Sequence, residues 1–178
     1  MLKIPKYNAP EERSSDGVSL LISLLVRFPQ IGTIQFESKS RHLRLNFMLS
    51  QSVFSADIEA FQTKIAANLK AYHHITGMNP TCVNIENKQP YEKFCMLSIV
   101  RDLASLSKGE LALIISLLVE RFHETLIIDD PDFLPDFMDD PAFPDDFIDG
   151  MLENVKFQRS AKSLTALREN GRVLVFNK

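Results

Sequence analysis

"RHLRLNFML", residues 41–49, is the stretch that decides the fold, because apolar and polar side chains alternate along it. The apolar residues occupy every second position: Leu43, Leu45, Phe47 and Leu49. The polar residues lie between them: His42, Arg44 and Asn46. Successive side chains of a strand point to opposite faces of its sheet. The pattern therefore predicts an antiparallel strand with one face in the core and one face exposed.

Other strands are predicted on both sides of this one. Ile34 and Phe36 alternate with polar neighbours, and residues 81–86 and 91–100 are predicted to form a hairpin. "TLIID" reads as a short buried strand, and the terminal "RVLVF" reads as another. "SAKSLTALRENG", just before it, is ambiguous between a helix and a hairpin strand, and its composition favours the helix.

Three helices are predicted from apolar residues at three- and four-residue spacing: 17–28, 54–75 and 107–123. Ser107 and Glu110 form a capping box at the start of the third. A further helix is predicted around Ile148 and Leu152. The predicted core contains twelve residues: Leu21, Leu25, Leu45, Phe47, Ile58, Phe61, Ile65, Leu69, Leu97, Ile99, Ile114 and Leu118. We expect an α+β fold, a single antiparallel or mixed sheet of about five to six strands covered by α-helices.

The domain organisation follows from length and composition. The 178 residues suit one domain, with 45% hydrophobic and 24% charged residues. We expect a flexible N-terminal segment at 1–15 and a single domain at 16–178, with an acidic Pro/Phe-rich insertion at 129–150. The apolar runs are shorter than the roughly 20 residues that span a bilayer, and the N-terminal residues are too polar for a signal peptide. The expectation is a cytoplasmic protein without a membrane partner.

The two cysteines do not form a disulfide framework. If Glu86 faces Tyr91 across a hairpin loop, the register sets Cys82 opposite Cys95. Both lie among apolar residues, which favours buried, reduced thiols. A redox-sensing pair is the alternative interpretation.

No catalytic or cofactor motif is present. The six glycines do not cluster into a phosphate-binding loop. His73 and His74 close a predicted helix, where they interact with its dipole, and no ligand stands at metal spacing from either. The sequence predicts no catalytic residue and no cofactor. One alternative remains, a divalent-metal-dependent enzyme of the phosphoryl or glycosyl transfer type, with Asp129, Asp130 and Asp132 as ligands.

The segment 129–149 carries nine aspartates, four prolines and four phenylalanines and no basic residue. The rest of the chain has a balance of +6, and residues 155–178 alone carry +5. Acidic and hydrophobic residues alternate in this way in partner-binding segments. The candidate contact residues are Phe133, Phe137, Phe143, Phe147, Asp132 and Asp136.

Two uses of this segment stay open. It docks on its own domain, with basic partners at Arg159, Lys162, Arg168 and Arg172, or it binds another protein. Imitation of nucleic-acid charge is a lesser alternative. Direct nucleic-acid binding is disfavoured, because the acidic block repels phosphates. The sequence thus predicts a non-enzymatic intracellular interaction or regulatory protein and leaves its oligomeric state open.

Overall fold

The computed structural model of the chain describes residues 9–50, 55–91, 93–128, 146–157 and 162–177. Within these ranges it contains six strands and four α-helices. The strands are β1 (Thr33–Glu37), β2 (His42–Ser50), β3 (Val83–Tyr91), β4 (Phe94–Asp102), β5 (Leu164–Glu169) and β6 (Arg172–Asn177). The helices are α1 (Ala9–Arg27), α2 (Ser55–Thr76), α3 (Lys108–Phe122) and α4 (Asp146–Phe157).

The strands form one antiparallel sheet in the order β3-β4-β2-β1-β5-β6. β2, the strand with the clearest alternation, lies near the centre between β1 and β4. Its Leu45 is opposite Ile34 of β1 and Ile99 of β4, so the apolar positions of three strands form one row. This architecture confirms the predicted α+β fold and strand number.

The hydrophobic core lies on one face of the sheet. α1 packs on β1, β5 and β6, α2 packs on β3 and α3, and α4 packs on α1. All the predicted core residues are buried: Leu21, Leu25, Leu45, Phe47, Ile58, Phe61, Ile65, Leu69, Leu97, Ile99, Ile114 and Leu118. The opposite face carries the polar residues of β2, and we call it the open face.

α4 begins at the end of the acidic insertion and packs against α1. The helix predicted around Ile148 and Leu152 is confirmed, and both side chains are buried. Arg41, in the β1–β2 turn, donates to the carbonyls of Val155 (2.6 Å) and Lys156 (3.0 Å). These two bonds satisfy carbonyls that a helix end leaves without partners.

The helix favoured for "SAKSLTALRENG" is wrong, because residues 164–169 form β5. Asn170 and Gly171 both have positive φ, 49° and 74°, as a two-residue type I′ hairpin turn requires. Pairing of β5 with β1 outweighs the weak local helix preference. At the other end of the chain, α1 begins at Ala9, within the segment that was predicted to be flexible.

The predicted register of the β3–β4 hairpin is also wrong. Glu86 pairs with Ser98, and Tyr91 pairs with Phe94 across a much shorter turn. Cys82 and Cys95 therefore do not face each other, which removes the redox-pair interpretation. Both are free thiols whose pKa values are raised, chiefly by burial.

"TLIID" forms a single bridge, Leu126 to Leu49, instead of the predicted buried strand. Ile127 and Ile128, which follow it, are 39% and 41% exposed. Among the described residues, no helix has the length and apolar character needed to cross a bilayer.

Candidate interaction surface

Most of the predicted site residues lie outside the described residues. These are Phe133, Phe137, Phe143, Asp132 and Asp136, with the metal candidates Asp129 and Asp130. Their contacts and the metal-enzyme alternative remain predictions. Phe147 is described, and it is half-buried in α4.

The C-terminal end of the acidic segment is anchored to the domain. Ile148 is buried, and the Asp149 carboxylate accepts a hydrogen bond of 3.0 Å from the backbone N–H of Lys108. Lys108 is the first residue of α3, where backbone N–H groups lack intrahelical partners and a negative charge is favourable. The last aspartate of the segment therefore stabilises the start of a core helix.

The predicted basic partners of the segment differ in their surroundings. Arg168 donates to the carbonyls of Pro29 (3.1 Å) and Ile31 (3.2 Å) and to that of Leu25, so its guanidinium holds the C-terminal end of α1. Lys162 and Arg172 are exposed. Arg159 lies outside the described residues.

A charged cluster is buried beneath the β3 end of the sheet. Arg101 of β4 and Glu110 of α3 are both fully buried, and the Arg101 guanidinium donates to both carboxylate oxygens of Glu110. His73, at the end of α2, lies beside this pair with its Nε2 3.0 Å from Glu110. Ser105 accepts from Arg101 at 2.9 Å. The cluster thus joins α2, α3 and β4.

The same cluster holds the start of β3 in place. Arg101 donates to the carbonyl of Cys82 at 2.7 Å and to the Asp102 carboxylate. Asp102 in turn accepts from the backbone N–H groups of Thr81 (3.2 Å) and Cys82 (3.1 Å). Ser105 donates to the other Asp102 oxygen at 2.6 Å.

The charges in this cluster are compensated. Burial opposes the charge of Arg101, but hydrogen bonding to Glu110 and the two carboxylates outweigh it, and the pKa of Arg101 is raised. Burial likewise opposes the charge of Asp102. Hydrogen bonds from Ser105 and Cys82, with the charge of Arg101, outweigh it and lower the pKa of Asp102. A buried, fully partnered network of this kind is a structural element.

Local sequence patterns indicate this cluster only in part. Ser107 accepts from the N–H of Glu110 as a capping box requires, but the Glu110 side chain points to Arg101. His73 was interpreted as a helix-end residue and is in addition a buried member of the cluster. Arg101 follows an apolar run in the sequence, and no spacing pattern links it to residues nine or twenty-eight positions away.

The open face is polar and internally paired. Asn46 is buried, accepts from Ser98 and donates to Thr33, each at 2.7 Å. Arg44 donates to Glu86 at 2.5 Å. Arg44 and Asn46, two polar residues of β2, are therefore already engaged in hydrogen bonds.

A shallow depression of ≈ 190 Å³ lies at one end of the open face. Its lining mixes acidic, basic and neutral groups: Gln35, Phe36, Glu37, Ser40, His42, Arg44 and Val100. Within the described part of the chain, no three His, Cys, Asp or Glu side chains are grouped to hold a metal ion. The depression does not select one ligand charge.

β3, one edge of the sheet, is well protected. Glu86 and Lys88 place charges on it, and Pro90 removes a backbone donor. The ladder shifts register between Lys88 and Tyr91. From α2, Gln62 donates to the carbonyl of Ile85 at 3.0 Å and so occupies an edge acceptor. These are the devices that prevent strands of other chains from pairing with an edge.

β6, the opposite edge, has none of these features between Val173 and Phe176. Val173 and Val175 pack partly on the core, so Leu174 and Phe176 lie on the open face, where Phe176 is 49% exposed. Leu167, opposite Leu174 on β5, extends this apolar surface. We call Leu167 and the strand β6 together the β6 edge.

The backbone of β6 offers unpaired groups. Glu169 and Arg172 flank the two-residue turn and form a hydrogen-bonded pair, and such pairs alternate along an antiparallel ladder. Val173 and Val175 therefore direct their N–H and C=O groups away from β5. Among the described residues, no group outside β5 hydrogen-bonds to the backbone of β6.

Comparison of the chain with protein-family models, curated proteins and solved structures found no match.

Proposed function

We propose that the protein is a non-enzymatic interaction protein that binds an extended polypeptide strand along β6. One observation carries the proposal: β6 is an edge strand by position but is apolar on both faces, like a strand from the middle of a sheet. Proteins that add a partner strand to a sheet edge use backbone hydrogen bonds for affinity and alternate side chains for specificity.

The contacts available to an incoming strand divide by face. Val173 and Val175 offer backbone donors and acceptors, and Leu174 and Phe176 offer apolar contact area on the open face. Complete burial of an exposed Phe side chain contributes about 1.5–3 kcal/mol of stabilisation. Because Phe176 is 49% exposed, covering its remaining surface contributes about 1 kcal/mol. Several such contacts are needed for stable binding.

The acidic segment is proposed to regulate this surface. Its last residues, Ile148 and Asp149, are fixed on the domain. Two of its predicted basic partners, Lys162 and Arg172, are exposed beside the β5–β6 hairpin, and Arg172 is the first residue of β6. Docking of residues 129–145 on these cations would compete with a partner for the β6 edge.

Photo-crosslinking tests the proposal. A photoreactive amino acid replaces Phe176, or replaces Lys88 of β3 as the matched position on the protected edge. We expect crosslinked polypeptide from position 176 and little from position 88. Val175→Pro should abolish the product, because it removes an N–H that points away from β5 and leaves the β5–β6 ladder intact. Equal yields at both edges would contradict the proposal.

A second arm of the same experiment tests regulation. Deletion of residues 131–147 should raise the yield at position 176, since the competing segment is gone. An unchanged yield would contradict the regulatory role of the acidic segment and leave strand binding itself intact.

A further inference from the structure

The occupant of the β6 edge must present a regular strand. It needs successive N–H and C=O groups in register with Val173 and Val175, and apolar side chains at alternating positions. The acidic segment does not fit, because prolines at 131, 135, 141 and 144 interrupt its donors and leave no run longer than five residues without one. Its docking on basic side chains is a different kind of contact.

The strand that meets these requirements in this chain is β6 itself. We propose that β6 pairs with β6 of a second copy of the protein, antiparallel, about a two-fold axis through Leu174. This inference rests on the proposed function, since it names the strand that β6 binds. An isologous contact of this kind closes on itself and produces a dimer without open-ended growth.

The register about Leu174 is complementary at each position. Leu174 lies opposite Leu174 of the second copy, and Val173 lies opposite Val175 of the second copy. Because Val173 and Val175 direct their backbone groups outward, each of these two pairs exchanges two hydrogen bonds. Arg172 lies opposite Phe176 of the second copy on the open face, where a cation and an aromatic ring attract.

Overlap and side-chain pairing distinguish this register from its neighbours. An axis through Val173 pairs three residues of each β6, whereas axes through Leu174 and Val175 each pair five. With the axis through Val175, Arg172 faces no residue of the second β6. Only the axis through Leu174 combines the five-residue overlap with the pairing of Arg172 and the Phe176 ring.

The dimer also forms a continuous layered structure. A two-fold axis perpendicular to the sheet keeps both open faces on one side and both helix layers on the other. α1, the helix that packs on β5 and β6, carries Ile22 with 36% exposure. The two copies of α1 thus lie on the same side of the joined sheets and can add apolar contact area to the five-residue strand pair.

A charge-swap experiment tests the dimer. Leu174→Lys places two like charges opposite each other at the axis, and Leu174→Glu does the same with the other sign. Each variant alone should dissociate, with a dissociation constant raised by at least about tenfold. An equimolar mixture should regain the dimer mass, because opposite charges then meet. Analytical ultracentrifugation measures the mass against the 20.3 kDa chain.

Phe94→Lys is the matched control. Phe94 is a 38% exposed apolar residue on the same open face, but it lies on β4, with three strands between it and β6. We expect this variant to remain dimeric. Circular dichroism and urea midpoints confirm that each variant is folded, and Val175→Pro provides a second dissociating variant if a charge at 174 unfolds the chain.

Three results would overturn the inference: a monomeric wild-type protein, folded Leu174 variants that stay dimeric, or a mixture that does not reassociate. The test separates this inference from the proposed function. A monomeric protein whose position 176 crosslinks to a different polypeptide would refute the dimer and retain strand binding. The dimer inference is supported if the wild-type protein is dimeric, if Leu174→Lys and Leu174→Glu each dissociate it, and if mixing the two variants restores the dimer.

Discussion

The two edge strands of the sheet, β3 and β6, differ in charge, in proline content and in whether a neighbouring side chain binds their backbone. β3 carries Glu86, Lys88 and Pro90, and Gln62 of α2 occupies one of its carbonyls. β6 carries four apolar residues in a row, 173–176, between Arg172 and Asn177. Natural sheets protect edges that must stay unpaired. On the proposed function, β3 is the end of the sheet, whereas β6 pairs with a further strand.

The supports behind the two edges also differ. The start of β3 is fixed from within by Arg101 and Asp102, which bind the backbone of Thr81 and Cys82. The hairpin that carries β6 is supported by Arg168, which binds the end of α1, and by the tight turn at Asn170 and Gly171. Both edges are anchored, so the lack of protection on β6 does not reflect a loosely held strand.

The largest expected effect concerns the support of β3. Arg101→Met leaves the buried carboxylates of Glu110 and Asp102 without their cation. Removing one partner from a buried ion pair typically costs about 3–5 kcal/mol. We expect a loss of that size in the free energy of unfolding, measured by urea denaturation.

Arg121→Met is the control for Arg101→Met. Arg121 pairs with Asp57 on the surface, where both side chains are about two-fifths exposed. Exposed pairs contribute about 0.2–1 kcal/mol. If the two variants lose the same stability, the buried cluster does not support β3 as described.

A smaller effect concerns Glu86, one of the charged residues on β3. The hydrogen bond from Arg44 holds the pKa of the Glu86 carboxyl below its ordinary value. Because the pKa of Glu86 is lower in the folded state than in the unfolded state, its pair with Arg44 stabilises the fold at pH values above the unfolded-state pKa. That contribution is lost as the pH falls through the folded-state pKa.

Glu86→Gln should therefore cost about 0.2–1 kcal/mol near pH 7, and the difference from wild type should vanish in acid. Urea midpoints measured from about pH 7 down to about pH 2.5 check this. Glu120→Gln, which removes an exposed ion pair between Glu120 and Lys64, is the control. A Glu86→Gln deficit that persists unchanged in acid would show that the charge of Glu86 does not matter.

Much of the fold was predictable because local patterns repeat along the chain. The alternation of apolar and polar residues in β2 and the spacing of apolar residues in α2 predict core residues, and every predicted core residue is buried. β5 was missed because its residues have little strand preference, and its conformation depends on pairing with β1. The register of β3 was missed because a proline and an irregular ladder lie at its turn.

The candidate site was predictable only in part. "RVLVF" was predicted as a strand, but nothing local shows that it lies at an edge, since strand order depends on long-range pairing. Arg101 and Glu110 likewise meet only when β4 and α3 pack together. The acidic segment was visible from composition alone, and its contacts between 129 and 145 remain predictions.

The central claim is that β6 pairs with another strand and β3 does not. Amide hydrogen exchange of Val173 and Val175, measured over a range of protein concentrations, tests it most directly. Their N–H groups point away from β5, so they are protected only when a further strand is present. We predict protection that rises with concentration at these two amides and stays constant along β3. Rapid exchange of Val173 and Val175 at every concentration would contradict the account.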